Sequence, residues 1–187
     1  MKRFILALLW VLTAACGGDN GGGGGASLGS VGGNSLTVQE AIFAIDQDIL
    51  ILLAGDRTGL CDIYSGQSTP SGRYVLLATT FIATNDGTNT APVVAGDYTV
   101  VAGPGSINAA GKYNITSFNV ANGCTVSSST DATSGTFTLT QPGTNSSGSH
   151  TTGSLNNVKF GTDTLNGAVD ATYCAALVTN STPPTCP

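Results

Sequence analysis

Charged side chains are scarce in this chain. Asp, Glu, Lys and Arg make up 9% of its 187 residues, whereas about 25% is usual for a soluble domain. This scarcity excludes coiled coils and helical bundles, whose surfaces are rich in Glu and Lys. Six basic residues stand against eleven acidic ones, for a net charge of −5. Because that charge repels polyanions, we also exclude a nucleic acid as the main partner.

The chain has one histidine and one tryptophan. His150 lies in the Ser/Gly/Thr-rich segment 144–153, so we predict a solvated loop residue rather than a catalytic base. A serine hydrolase needs a histidine or equivalent base beside its nucleophile, and this chain offers only His150. The sequence contains no Cys-x-x-Cys pair, which argues against a zinc site. We therefore expect no enzymatic activity, no catalytic or metal-binding residues and no cofactor.

Residues 1–15 have the three parts of a signal peptide. Lys2 and Arg3 provide the positive start, residues 4–12 are apolar, and the small residues 13–15 precede a cleavage position. The apolar run is too short to span a bilayer, which needs about 20 residues. We predict that this segment directs export and is removed. The mature chain would keep four basic and eleven acidic residues, for a net charge of −7.

The segment Leu12-Thr13-Ala14-Ala15-Cys16 resembles the lipobox of bacterial lipoproteins, in which small residues precede a cysteine that becomes acylated. The usual pattern has Leu where this chain has Thr13, and ordinary secretory cleavage leaving a thiol at Cys16 is the alternative. The resemblance implies that Cys16 is lipidated and that acyl chains hold the protein on a membrane. Because Gly17 follows instead of Asp, it implies the outer membrane of a Gram-negative bacterium, with the domain periplasmic or surface-facing.

Glycine dominates the residues that follow. Ten of the seventeen positions in 17–33 are Gly, and such a tract is typical of a flexible linker with a reach of about 20–25 Å. A phosphate-binding loop would need a Lys-Ser or Lys-Thr pair that is absent here. We predict that residues 16–33 form the lipidated tether and that residues 34–187 form one folded domain.

Four cysteines remain after Cys16: Cys61, Cys124, Cys174 and Cys186. An even number in an exported chain predicts two disulfides, for which three connectivities exist. Loop closure favours partners that are near in sequence. On that ground we predict the pairs Cys174–Cys186 and Cys61–Cys124.

The folded part alternates β-forming runs with turn residues, a pattern typical of all-β proteins. In Thr136–Thr140 the period is two, which places Phe137 and Leu139 inward. The continuous apolar run 49–53 predicts a strand buried on both faces, although 38–54 could also be helical. We predict an antiparallel β-sandwich or a partly closed barrel of eight or nine strands. The nine runs are Leu36–Ile45, Ile49–Ala54, Arg73–Ala83, Asp97–Ala102, Lys112–Val120, Cys124–Ser128, Gly135–Gln141, Ser154–Phe160 and Leu165–Cys174.

Four short motifs are distributed over residues 36–187. They are Gly59-Leu60-Cys61, Gly96-Asp97-Tyr98, the segment Asn166–Cys174 and Pro183-Pro184-Thr185-Cys186. Together they resemble a loose group of small bacterial lipoproteins that have no assigned function. The resemblance implies a β-domain with structural cysteines, and its motifs carry no chemistry.

These observations predict a lipid-anchored envelope protein that acts as a structural or interaction module, with an envelope or cell-surface protein as partner. The alternative is an extracytoplasmic module that binds calcium or glycans. Calcium could use Asp46 and Asp48, or the segment Asn85–Asn89, which echoes part of a calcium loop. A glycan could stack on Tyr64 or Tyr113. Turns and core packing are the simpler interpretations of all these residues.

Overall fold

The computed structural model describes residues 25–179, so the predicted signal peptide, Cys16 and Cys186 lie outside the described residues. The strands are β1 (Ala26–Val31), β2 (Asn34–Val38), β3 (Glu40–Asp46), β4 (Ile49–Gly55), β5 (Arg73–Thr84), β6 (Thr90–Ala91), β7 (Gly96–Val101), β8 (Gly111–Asn122), β9 (Thr125–Asp131), β10 (Ser134–Gln141), β11 (His150–Phe160) and β12 (Asp163–Tyr173). The helices are α1 (Leu60–Tyr64) and α2 (Ala176–Thr179). No helix in the described part of the chain is long and apolar enough to cross a membrane.

Eight of the strands close into a barrel. Their order is β12-β11-β10-β7-β8-β5-β4-β3, and β3 pairs back with β12. The strands β1, β2, β6 and β9 lie outside this ring. The predicted all-β class is therefore confirmed, and of the two predicted architectures the chain adopts the barrel, which is fully closed.

Two neighbouring pairs in the barrel are parallel, which corrects the prediction of a wholly antiparallel sheet. They are β7 with β8, where Thr99 lies opposite Tyr113, and β3 with β12, where Ile42 lies opposite Thr172. Alternating burial identifies the face that a side chain occupies, but it is the same for either strand direction. Direction is set by the connections, such as residues 102–110, which lead from the end of β7 to the start of β8.

Each of the nine predicted runs overlaps a strand. The run Leu36–Ile45 overlaps two strands, because β2 ends at Val38 and β3 begins at Glu40. Between them the backbone N–H of Gln39 donates to the carbonyl oxygen of Gly55 at 2.8 Å. The helical alternative for residues 38–54 is wrong, since this region forms β3 and β4 with their hairpin.

The predicted boundary of the folded domain at residue 34 is too late. Strand β1 lies inside the predicted tether and forms a hairpin with β2, turning at Gly32 and Gly33, whose φ angles are 57° and 76°. The hairpin buries Leu28 and Val31, which are 2% and 3% exposed. The prediction missed β1 because it relied on the high glycine content of residues 17–33. A composition averaged over the whole segment does not register two apolar residues.

Side chains fill the barrel interior. The ring of Phe81 packs edge-on against Tyr98 and Phe137, with centroid distances of 5.2 and 4.7 Å. Phe137 and Leu139 are both buried, as their alternation with threonines predicted. The barrel is therefore built around a packed apolar core.

One polar cluster lies within this interior. Thr79 on β5 and Asn114 and Thr116 on β8 are each at most 1% exposed. The Nδ2 atom of Asn114 donates to Oγ1 of Thr79 at 2.9 Å, and the Thr116 hydroxyl donates to Oδ1 of Asn114. The Thr79 and Thr116 hydroxyls are 2.7 Å apart. Because the three side chains bond one another, their burial avoids the cost of unpaired polar groups.

A second apolar cluster covers the outside of β3 and β4. Here Ile42 and Leu53 point away from the barrel core and pack with Leu60 and Ile63 of α1 and with Leu177 of α2. On the inner face of β4, Leu50 and Leu52 are fully buried. On the outer face Leu53 is buried, whereas Ile49 and Ile51 are partly exposed. The predicted burial on both faces therefore holds only for the second half of β4.

A disulfide joins Cys61 of α1 to Cys174, directly after β12, with the Cα atoms 5.7 Å apart. The predicted pairs Cys61–Cys124 and Cys174–Cys186 are therefore wrong. Cys124 is also disulfide-bonded, and its partner is neither of these two. Loop-closure entropy describes the unfolded chain, whereas native pairing follows the sheet. Because the end of β12 lies beside β3, under α1, it brings together cysteines that are 113 residues apart.

Candidate functional site

The only histidine lies in a strand, which corrects the prediction of a solvated loop. His150 begins β11 opposite Thr172 of β12, and its Nδ1 atom is 2.7 Å from Oδ1 of Asp170. The two side chains are 48% and 63% exposed, so the pair adds little to stability. A carboxylate that holds an imidazole in this way orients it, as in hydrolase triads, but a positioned nucleophile is needed as well.

The acidic residues considered for calcium occupy turns. Asp46 and Asp48 flank Gln47 in the β3–β4 hairpin, where Gln47 has a φ of 54°. Asp86 accepts hydrogen bonds from the backbone N–H groups of Asn89 and Thr88 at 2.8 and 2.9 Å, and from both of their side chains.

These bonds hold the pKa of the Asp86 carboxyl well below its usual value. Donors therefore occupy the carboxylate that a cation would need. Within residues 25–179, no three His, Cys, Asp or Glu side chains form a group able to hold a metal ion.

The two tyrosines considered as glycan platforms are both engaged. Tyr64 is buried in the second apolar cluster, outside β3 and β4. This burial and, to a smaller extent, the charge interaction with Tyr74 raise the pKa of Tyr64 to about 12. Tyr113 donates its hydroxyl to the carbonyl oxygen of Ala109 at 2.9 Å, and its ring lies over Gly111. Stacking of a sugar ring needs an open aromatic face, which the buried Tyr64 does not offer.

Hydroxyl and amide groups cover the outer face of the neighbouring strands β7, β10 and β11. Thr138 on β10 lies opposite Asp97 on β7 and Ser154 on β11. Its hydroxyl donates to Asp97 at 2.6 Å and accepts from Nδ2 of Asn156 at 2.9 Å. This polar face continues to β12, and at its edge the barrel surface becomes concave.

A lateral groove lies where β12 changes partners. Leu165 is the residue of β12 paired with β1, and Thr172 is the first paired with β3. Between Leu165 and Thr172, the edge of β12 that faces away from β11 pairs with no strand of the described chain. The opening has a volume of about 620 Å³, and the residues that line it include Val38, Gln39, Glu40, Ala41, Thr140, Thr152, Ser154, Val169 and Asp170.

The lateral groove combines an apolar floor with acceptors and hydroxyls. Glu40 uses one carboxylate oxygen to accept the backbone N–H of Leu60 at 3.1 Å, and Asp170 uses one on His150. Thr152 lies directly opposite Asp170 across β11 and β12. The alternation of polar and apolar residues in the sequence predicts that these polar side chains face outward. That they line the same groove becomes clear only from the order of the strands.

Comparison with protein-family models, with curated proteins and with solved structures found no match for this chain.

Proposed function

We propose that this protein is a lipid-anchored, non-catalytic interaction module of the bacterial cell envelope. The observation that carries the proposal is the position of the barrel directly behind the lipobox-like segment: β1 begins at Ala26, and only residues 17–25 separate it from Cys16. Because side chains fill the barrel interior, partners would bind the outer surface, where the polar face and the lateral groove lie.

The length of this connection sets how far the barrel stands from the membrane. Nine residues extend to at most about 30 Å, and a glycine-rich coil of that length has an r.m.s. reach of about 15–18 Å. This distance is less than the reach estimated for a tether that ends at residue 33. The proposed anchor would hold the barrel close to the lipid surface.

Replacing Cys16 tests the anchor. We expect Cys16→Ser to abolish incorporation of labelled fatty acid and to move the protein from the membrane to the soluble fraction, because the acylated atom is lost. Thr13→Leu restores the usual lipobox pattern and should leave labelling equal or higher. Unchanged membrane association of Cys16→Ser, or an absence of label in the natural chain, would contradict the proposal.

The lateral groove favours a second candidate function, the binding of a glycan. Its carboxylates Glu40 and Asp170 and the hydroxyls of Thr140, Thr152 and Ser154 are groups that bond sugar hydroxyls. Val38 and Ala168 provide the apolar surface. Such a mixture of apolar surface and a few convergent polar groups is typical of small-molecule sites.

A matched pair of substitutions tests this second candidate on a panel of soluble glycans. For any glycan that binds, Asp170→Asn should weaken binding about 10- to 100-fold, since a hydrogen bond to a charged group is worth about 1.5–3 kcal/mol. Asp97→Asn removes the same charge from the polar face outside the lateral groove and should leave the affinity unchanged. Equal effects of the two substitutions, or no glycan bound, would refute the candidate.

A further inference from the structure

A second concavity lies at the loop between β4 and β5. It has a volume of about 450 Å³, and its polar lining residues are Arg57, Gln39, Asp56, Thr58, Ser68, Thr69 and Ser71. We call it the Arg57 pocket. One guanidinium and one carboxylate therefore share this pocket with several hydroxyl groups.

The structure holds the Arg57 side chain in place. Its Nη2 atom donates to the carbonyl oxygen of Ser71 at 2.7 Å, and Cζ lies 4.2 Å from the centroid of the Tyr74 ring. Burial raises the pKa of Tyr74, against a smaller opposite effect of the Arg57 charge, so the ring stays neutral beneath the cation. A guanidinium stacked in this way is oriented before any ligand arrives.

This cation lacks a partner for part of its charge. The Nε atom of Arg57 is shielded from solvent and has no hydrogen-bond acceptor. Within residues 25–179 the one ion pair found joins His150 to Asp170, so Arg57 has no carboxylate partner there. Asp56 also lines the pocket, but its Oδ1 atom accepts the backbone N–H of Val75 at 2.9 Å and forms no ion pair with Arg57.

A buried donor without an acceptor is unusual in native proteins and requires an explanation. An anion in the pocket would offset the charge of the guanidinium, which lowers the cost of keeping this cation partly buried, while the Nε–H group itself would gain no acceptor. Oxyanions suit such a site, since the planar guanidinium matches the geometry of phosphate and carboxylate oxygens.

The Arg57 pocket lies beside the point where the chain enters the barrel. Gln39 lines the pocket, and a Cβ atom built on Gly25 would lie 3.0 Å from Nε2 of Gln39. The next residue, Ala26, pairs with Val38. The site is therefore at the end of the nine-residue connection to Cys16, within about 30 Å of the proposed anchor.

We propose that the Arg57 pocket binds the phosphate group of a membrane lipid, which orients the barrel on the membrane that anchors it. The inference rests on the proposed lipid anchor. The anchor makes the second contact intramolecular, so the effective lipid concentration is in the millimolar range and a weak site suffices. The net negative charge would keep the rest of the surface away from anionic lipids.

Chemical modification of arginine by phenylglyoxal tests the proposal, with Arg57 and Arg73 followed in the same molecule by mass spectrometry. Arg73 is exposed at the start of β5 and serves as the internal control. In the solution arm, the modification rates of the full chain are measured with and without inorganic phosphate. In the membrane arm, the acylated protein is placed in vesicles of phosphatidylglycerol or of a phosphate-free glycolipid. When phosphate is about four times its Kd, the free fraction of Arg57, and hence its rate, falls to about one fifth.

We expect inorganic phosphate and phosphatidylglycerol vesicles to slow modification of Arg57 and not of Arg73. If inorganic phosphate slows modification of Arg57 but phosphatidylglycerol vesicles do not, the proposal that the phosphate belongs to a lipid is overturned. If neither slows modification of Arg57, the pocket is not an anion site, and the proposal is overturned. Equal slowing in glycolipid vesicles would mean that the surface merely shields Arg57, which also overturns it. The solution arm uses no membrane, so a failure of the anchor is distinguishable from a failure of the pocket.

Two variants confirm the assignment by thermal melting of the full chain. Phosphate should raise the Tm of the natural chain and of Arg73→Gln, because a ligand that binds only the folded state stabilises it. The Arg57→Gln variant should show no such increase. If Arg57→Gln fails to fold, Arg57→Lys keeps the charge while it loses the planar fork, and we expect a smaller increase. An equal increase for Arg57→Lys and for the natural chain would count against the pocket.

Discussion

A chain that starts at residue 34 will be much less stable than a chain that starts at residue 25. The shorter chain lacks β1, which buries Leu28 and Val31 against the barrel core. Burying one such side chain contributes about 1.5–3 kcal/mol, so we expect the free energy of unfolding to fall by roughly 3–6 kcal/mol. The loss also uncovers Leu36 on β2, which is fully buried. Urea unfolding of both chains measures the difference.

A pair of point variants in β1 separates the effect of packing from the effect of chain length. Leu28→Ala should cost about 2–5 kcal/mol, as other buried leucines do. The neighbouring Ser27 is exposed, and Ser27→Ala should stay within about 0.5 kcal/mol. Equal stability of the two chain lengths, together with a neutral Leu28→Ala, would show that β1 does not contribute to the core.

Loss of the Cys61–Cys174 disulfide is the second change with a large expected effect. The bond closes a loop over a sequence separation of 113 residues, and the chain-entropy model assigns about 4.7 kcal/mol to a 100-residue loop. It also clamps α1 to the end of β12, over the outer apolar cluster. We expect the variant with both cysteines changed to Ala to lose roughly 3–5 kcal/mol in urea unfolding.

The single substitutions provide the control for this prediction. Either Cys61→Ala or Cys174→Ala breaks the bond, so each alone should cost nearly as much as both together. Such non-additivity is expected when two residues form one interaction. Two small losses that simply add would indicate that the cysteines contribute through packing alone.

The strands could be predicted because each has a clear local signature. Phe137 and Leu139 alternate with threonines, so one face of β10 had to be buried whichever strands lay next to it. The run of Ile and Leu at 49–53 likewise indicated a strand, and Leu50 and Leu52 fill its inner face. These patterns depend only on the hydrophobicity of each side chain and of its near neighbours in the sequence.

The candidate sites could not be predicted in this way. Arg57, Ser71 and Tyr74 come together because the loop after β4 folds back onto β5, and no spacing in the sequence indicates that. Thr152 and Asp170 share the lateral groove because β11 and β12 are neighbours. Similarly, the pairing of His150 with Asp170 requires the register between those two strands.

The all-β class of this protein follows from local sequence patterns: a chain poor in charge, with short alternating apolar runs separated by glycine-rich turns, forms β-sheets. In contrast, the closure of the sheet, the parallel pairs β7–β8 and β3–β12, and the Cys61–Cys174 disulfide emerge only in the folded chain. The two groups of features differ in the range of the interactions behind them. Burial periodicity is local along the chain, whereas strand order, strand direction and disulfide pairing depend on contacts between residues far apart in sequence, which form only in the folded barrel.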